Sequence, residues 1–152
     1  MSALELLGIK VKEVMTTSLI TVRPDTILKD VKNIFDAENI HHIPVASEQG
    51  VFLGIISKSD LLLLLDWGTK LNLPASLRKN SFLLMSNLAK DIMESNVLCI
   101  SPNDNIQKCV QIFRENYFHA LPVVDESNQL VGMVTTYDLM ILAYTEKALL
   151  HS

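Results

Sequence analysis

Two heptads set a hydroxyl three residues ahead of a carboxylate: GIISKSD at 54–60, with Ser57 and Asp60, and GMVTTYD at 132–138, with Thr135 and Asp138. If a helix begins between the two groups, both lie beside free backbone N–H groups at its positive end. The carboxylate can then accept hydrogen bonds from the cis hydroxyls of a sugar, while the hydroxyl and the N–H groups meet phosphate oxygens. A plainer use of the same residues also stands, with Asp60 and Asp138 as first-turn acids that favour the helix start. Gly54 and Gly132 either allow close backbone approach or mark a bulge.

Other groups capable of chemistry are sparse. His41 and His119 each precede a proline by three residues (Pro44 and Pro122), but no third ligand at metal spacing accompanies them. A histidine that packs or steadies a turn is therefore favoured over a metal or acid-base site. His42 and His151 are expected to be exposed. Cys99 and Cys109 lack metal-ligand spacing and read as reduced core thiols. No nucleophile elbow, P-loop, metal triad or paired carboxylates in a recognisable setting is present, so the chain is not expected to be an enzyme.

The 152 residues are 49% hydrophobic and 20% charged, which allows a sizeable core. A net charge of −4 gives no basis for direct nucleic-acid binding. The run Leu61–Leu65 is stopped by Asp66, too short to span a bilayer, so no membrane association is expected. The N-terminal MSALELLGIKVKEV carries Glu5 and no small-residue cleavage site, so it is not read as a signal peptide and the expected location is cytoplasmic.

The heptads belong to a longer repeat. At an offset of 78, Lys12 matches Lys90, Met15 matches Met93, Pro24 matches Pro102, Phe35 matches Phe113, His41 matches His119, Gly54 matches Gly132 and Asp60 matches Asp138. No gap is needed between them, which indicates two copies of one supersecondary unit. In the first copy LITV (19–22) is expected as a strand, and Asp25 or Thr26 as the cap of an amphipathic helix bearing Ile27, Leu28, Val31, Ile34 and Phe35. IPVA (43–46) and VFLGIIS (51–57) are read as two strands around the turn SEQG, followed by a helix carrying the leucine run, capped by Ser57 or Ser59. LCI, the helix 105–115, LPVV, QLVGMVT and a helix near Tyr137 repeat the order. The expected divisions are 1–66, a connector 67–88 and 89–152.

With VMTTSLITVRPDT, HHIPVASEQGVFLGIISKSDL, IMESNVLCISPND and FHALPVVDESNQLVGMVTTYDL in order, the chain resembles a tandem pair of cystathionine-β-synthase (CBS) domains, a Bateman module. The resemblance implies an α/β (α+β) fold of two pseudo-twofold-related β-α-β-β-α motifs packed as one module. It also implies a regulatory role, with an adenine nucleotide or S-adenosylmethionine as the ligand and no obligatory cofactor. With it, the ligand reading of Asp60 and Asp138 displaces the first-turn acid. Carried over position by position, it implies one cleft of Thr135, Tyr137 and Asp138 with Thr17, Ile20, Ile40 and His41. A second would combine Ser57, Lys58, Ser59 and Asp60 with Ser95, Leu98, Phe118 and His119. The residues before each proline would hold the adenine. Lys58, Lys12, Lys90 and Arg23 are the available phosphate partners. Tyr137 stands where the other copy has Ser59, so the two sites are expected to differ, with the Asp60 site ahead.

Leu61–Leu65 and Leu139–Ala143 are apolar on nearly all sides of their helices, more than one core face uses. In the resembled family such helices form a disc-shaped homodimer, so a homodimer through them is expected, together with an unidentified regulated protein. The competing expectations are a structural dimer with degenerate ligand sites and an enzyme acting on a nucleotide.

Overall fold

The computed structural model describes residues 8–66 and 73–151, and their side chains except at 66, 73 and 146–151. It divides into a continuous unit, Ile20–Asn96, and a split unit of Met1–Leu19 with Val97–Ser152.

In the continuous unit, helix α2 (Leu28–Ala37) turns Leu28, Val31 and Phe35 into the core and leaves Lys32 paired with Asp36 on its outer face. Strands β1 (His42–Ala46) and β2 (Phe52–Ser57) form an antiparallel hairpin. Its turn closes where Gly50 adopts φ 86° and Ser47 Oγ accepts from Val51 N at 3.1 Å. A register shift at Val45/Ala46 sets Val45 opposite Gly54 and Ala46 opposite Phe52. Helix α3 (Lys58–Asp66) follows β2 directly, α4 (Leu73–Ser86) packs on α2, and α5 (Ala89–Ile92) is a single turn. Val22, Leu28, Val31, Phe35, Ile43, Val45, Ile56, Leu61, Leu65 and Ala89 make one buried cluster.

The split unit repeats this plan. It contains the single turn α1 (Val11–Val14), helix α6 (Ile106–Arg114), strands β3 (Ala120–Val124) and β4 (Leu130–Thr135), and helix α7 (Thr136–His151). The hairpin carries the same register shift, at Val123/Val124 opposite Gly132 and Leu130. Its core gathers Val11, Ile100, Cys109, Leu121, Val123 and Val134.

The short lead-in segments are exchanged between the repeats. By the offset of 78, α1 begins the first copy and α5 the second. Yet Val11 N donates to Asp104 O (2.8 Å) in the second copy, and Ala89 N to Thr26 O (2.7 Å) in the first. The compact units therefore cut the repeats at 19/20 and 96/97.

Three local expectations are corrected. LITV and LCI are not strands; each contributes one parallel bridge, Val22 to Val45 and Ile100 to Val123, because the chain leaves the sheet at once toward its helix. Neither Asp25 nor Thr26 caps α2: its N-cap is Ile27, and the Thr26 hydroxyl instead accepts from Arg23 N. His42 is half-buried, as its place opposite Ser57 in the hairpin requires. The connector holds the helix α4; its residues 67–72 and the His151 side chain lie outside the described residues.

Candidate functional site

In each unit a strand end, a helix start and an exchanged lead-in segment meet. In the split unit β4 runs straight into α7. Thr135 Oγ1 accepts from Asp138 N at 3.2 Å, and Asp138 Oδ2 accepts from Thr135 N at 2.9 Å, a reciprocal capping box. Thr136 N donates to His119 O at 3.2 Å, which ties the start of α7 to the segment entering β3. The lead-in segment closes the third side, because Thr16 and Met133 exchange backbone bonds at 2.9 and 3.0 Å. The Thr16 hydroxyl thereby comes 3.5 Å from Asp138 Oδ1.

The continuous unit builds the equivalent corner with different side chains. Lys58 N donates to His41 O at 2.8 Å, and Glu94 and Ile55 exchange backbone bonds at 2.8 and 3.0 Å. Ser57 Oγ accepts from Asp60 N at 3.0 Å. Among the described residues no return bond runs from Ser57 N to Asp60, so this carboxylate is not committed to the cap. Where the other corner has the Thr16 hydroxyl, this one has Glu94, whose Oε1 accepts from Asn96 N at 2.8 Å.

The glycines have a steric cause. A Cβ on Gly54 would stand 2.9 Å from Glu94 O and from Met93 Sδ; on Gly132 it would stand 2.6 Å from Met15 Sδ and 3.1 Å from Thr16 O. The exchanged segment lies against the strand at that point and leaves no room for a side chain. Both glycines also sit beside the register shift, so the two sequence expectations for them hold together.

The structure thus joins β4 and the start of α7 to Thr16, one residue before the expected Thr17, and β2 to Glu94, one residue before the expected Ser95. Of the remaining expected residues, Ile20, Ile40 and His41 belong to the continuous unit, and Leu98, Phe118 and His119 to the split unit. Ser59, Asp60, Ser95, Thr17, Ile20, His41, Leu98, His119 and Tyr137 are exposed; Ser57, Lys58, Ile40, Phe118, Thr135 and Asp138 are half-buried. Tyr137 is 64% exposed, so in the split unit its ring does not plug the corner. Arg23 is engaged by Glu48 at 3.8 Å, both of them exposed. Thr16 was missed by sequence reasoning, because its repeat partner is Glu94 and the hydroxyl is not duplicated. Among the described residues no group of three or more His, Cys, Asp or Glu side chains could hold a metal. Nor is any helix there long and apolar enough to cross a membrane.

The sequence profile of the CBS domain matches residues 11–66 and 89–143. The chain belongs to the CBS domain family. A CBS domain-containing protein of Dictyostelium discoideum is 32% identical over 132 residues, covering 87% of this chain and 89% of that one. Some relatives are longer: an inosine-5'-monophosphate dehydrogenase of Methanocaldococcus jannaschii is 25% identical, and the match covers 86% of this chain but 23% of that enzyme. Among solved structures, the CBS-pair protein CBSX2 of Arabidopsis thaliana superposes with a TM-score of 0.79 at 25% identity, covering 93% of this chain and 98% of CBSX2. CBSX2 in complex with AMP gives 0.75 at 25% identity, covering 92% and 99%. The mixed fold of small antiparallel hairpins with helices is that of CBS pairs.

Proposed function

We propose that this CBS pair is a non-catalytic, cytoplasmic sensor of an adenosine-containing ligand (AMP, ADP, ATP or S-adenosylmethionine) that passes its occupancy to a separate regulated protein. The observation that carries this reading is the duplicated corner in which a hydroxyl and a carboxylate stand at the start of a helix whose first and third N–H groups are held by the protein itself, so that the backbone there is pinned on three sides. Asp60 and Asp138 accept the ribose hydroxyls. Ser57 and Thr135 each take one N–H as acceptor and keep a hydroxyl proton to donate to phosphate, with Lys58 and Ser59 beside the first and Tyr137 beside the second. Ile40, His41, Phe118 and His119 hold the adenine, and Thr17, Ile20, Ser95 and Leu98 complete the contacts. AMP in CBSX2 supports this ligand class.

The two corners differ in affinity. At Asp60 the carboxylate is uncommitted and Ser59 is small, whereas at Asp138 the cap already uses one oxygen. The module dimerises through α3 and α7, where Leu62, Leu63, Met140 and Ile141 are 44–59% exposed. That same apolar face favours the second reading, a structural dimer without ligand. Calorimetric titration with AMP, ADP, ATP and S-adenosylmethionine separates the alternatives. Saturable binding by one of them supports the sensor, silence with all four supports the scaffold, and release of an altered nucleotide makes the chain an enzyme.

A further inference from the structure

On the continuous unit, α2, the end of α3 and α4 enclose a cleft of about 230 Å³ lined by Lys29, Lys32, Leu65, Leu77, Asn80, Ser81, Leu84 and Met85. It is smaller than the roughly 300–1,000 Å³ of clefts that take drug-sized molecules, and so suits one or two side chains rather than a nucleotide. Three observations define what fits. Leu77 and Met85 on its rim are 61% and 53% exposed, and Phe82 beside them is 68% exposed, an apolar face left to water. The described lining includes two ammonium groups and no carboxylate, and α4 (LPASLRKNSFLLMS) contains Arg78 and Lys79 without an acid, in a chain of net charge −4. Asn80 Oδ1 is shielded from solvent with no hydrogen-bond partner, an unfavourable state that an arriving donor relieves.

We propose that this cleft is the docking site for an acidic peptide segment of the regulated protein, anchored by one apolar side chain. The anchor fills the space between Leu65, Leu77, Leu84 and Met85. A peptide N–H beside it donates to Asn80 Oδ1, a pairing that a carboxylate ligand without a proton cannot make. Acidic residues of the segment meet Lys29 and Arg78; Lys32 is already held by Asp36 at 2.6 Å. A second copy of this chain is disfavoured, since a twofold contact would set the acid-free α4 against itself. A lipid surface is disfavoured because the site is concave. The segment would touch Leu65, about 1.4 turns along α3 from Asp60 or about 7.5 Å of helix rise, so the proposed ligand corner and the cleft share one helix. The regulatory purpose rests on the sensor reading, but docking itself does not, and its test needs no nucleotide.

The test is selection of a random displayed-peptide library on the full chain, with Leu77→Asp and Lys29→Glu as counter-screens. Both substitutions are at exposed positions, and circular dichroism checks that they fold. The expected result is enrichment of peptides with Asp and Glu around a Leu, Phe or Trp, and synthetic copies bound at least about tenfold more weakly by either variant. Three results would overturn the inference: enrichment of basic peptides or of none; equal binding by wild type and Leu77→Asp; or a Leu77-dependent self-association or binding to phosphatidylserine-containing vesicles in place of peptide binding.

Discussion

Thr16 and Met133 exchange both backbone hydrogen bonds, at 2.9 and 3.0 Å, and Glu94 and Ile55 do the same at 2.8 and 3.0 Å in the other unit. The two pairs are related by the repeat offset of 78, which carries Thr16 onto Glu94 and Ile55 onto Met133. Each lead-in segment thus adds one antiparallel bridge to the edge of the other repeat's hairpin and fixes the third side of the candidate corner. The sensor reading depends on that attachment.

Glycine is required where the added segment crosses. Gly54→Ala pushes a Cβ against a backbone carbonyl, Glu94 O at 2.9 Å, which cannot yield without breaking the pair. Gly132→Ala meets first the Met15 thioether, a flexible group, at 2.6 Å. Both are expected to lower stability in urea unfolding, by about 1–3 kcal/mol for Gly54→Ala and less for Gly132→Ala.

The two aspartates are expected to separate in their structural roles. Asp138→Ala removes the return bond of a capping box and should cost about 0.5–2 kcal/mol of stability, whereas Asp60→Ala should leave the melting temperature nearly unchanged. Differential scanning calorimetry without ligand reads the difference.

Cys109 is 0% exposed, and burial, helped by the nearby Asp104 charge, raises its thiol to about 11 from 9.0; burial also raises Cys99. The folded chain then holds the Cys109 proton to higher pH than the unfolded chain does. Its contribution to stability is intact below about pH 9 and declines as pH rises toward about 11, by on the order of 1 kcal/mol per unit. Urea titrations of wild type and Cys109→Ala across that window should differ in slope, and Ellman's reagent should reach Cys109 only after unfolding.

Leu63 on α3 and Ile141 on α7 are 59% and 44% exposed, while α3 buries Leu61 and Leu65 on its other face. If α3 and α7 form the dimer contact, Leu63→Glu or Ile141→Glu should turn a dimer into a monomer in sedimentation equilibrium without loss of helicity. A wild-type monomer at tens of micromolar would remove the dimer.

The repeat, the hairpins, the amphipathic helices and the hydroxyls that begin α3 and α7 were legible because each is written in local spacing: period-two strands, a helical apolar stripe, and a hydroxyl three residues before an acid. The exchange of α1 and α5 was not legible, since nothing in Lys12 or Lys90 says which copy its helix turn joins. Its trace was the pair of glycines, readable as close approach but not as whose backbone approaches. LITV and LCI misled through composition, because β-rich residues at 19–22 and 98–100 supply only one bridge each. Thr16 was hidden for the opposite reason: the duplicated pattern drew the eye to matched residues, and its counterpart is Glu94.

Isothermal calorimetry of AMP binding to wild type, Asp60→Asn and Asp138→Asn tests the central claim most directly. The account predicts saturable binding by wild type, a loss of at least about tenfold at the altered corner in each variant, and the larger loss for Asp60→Asn. Undiminished AMP binding by both variants would contradict it.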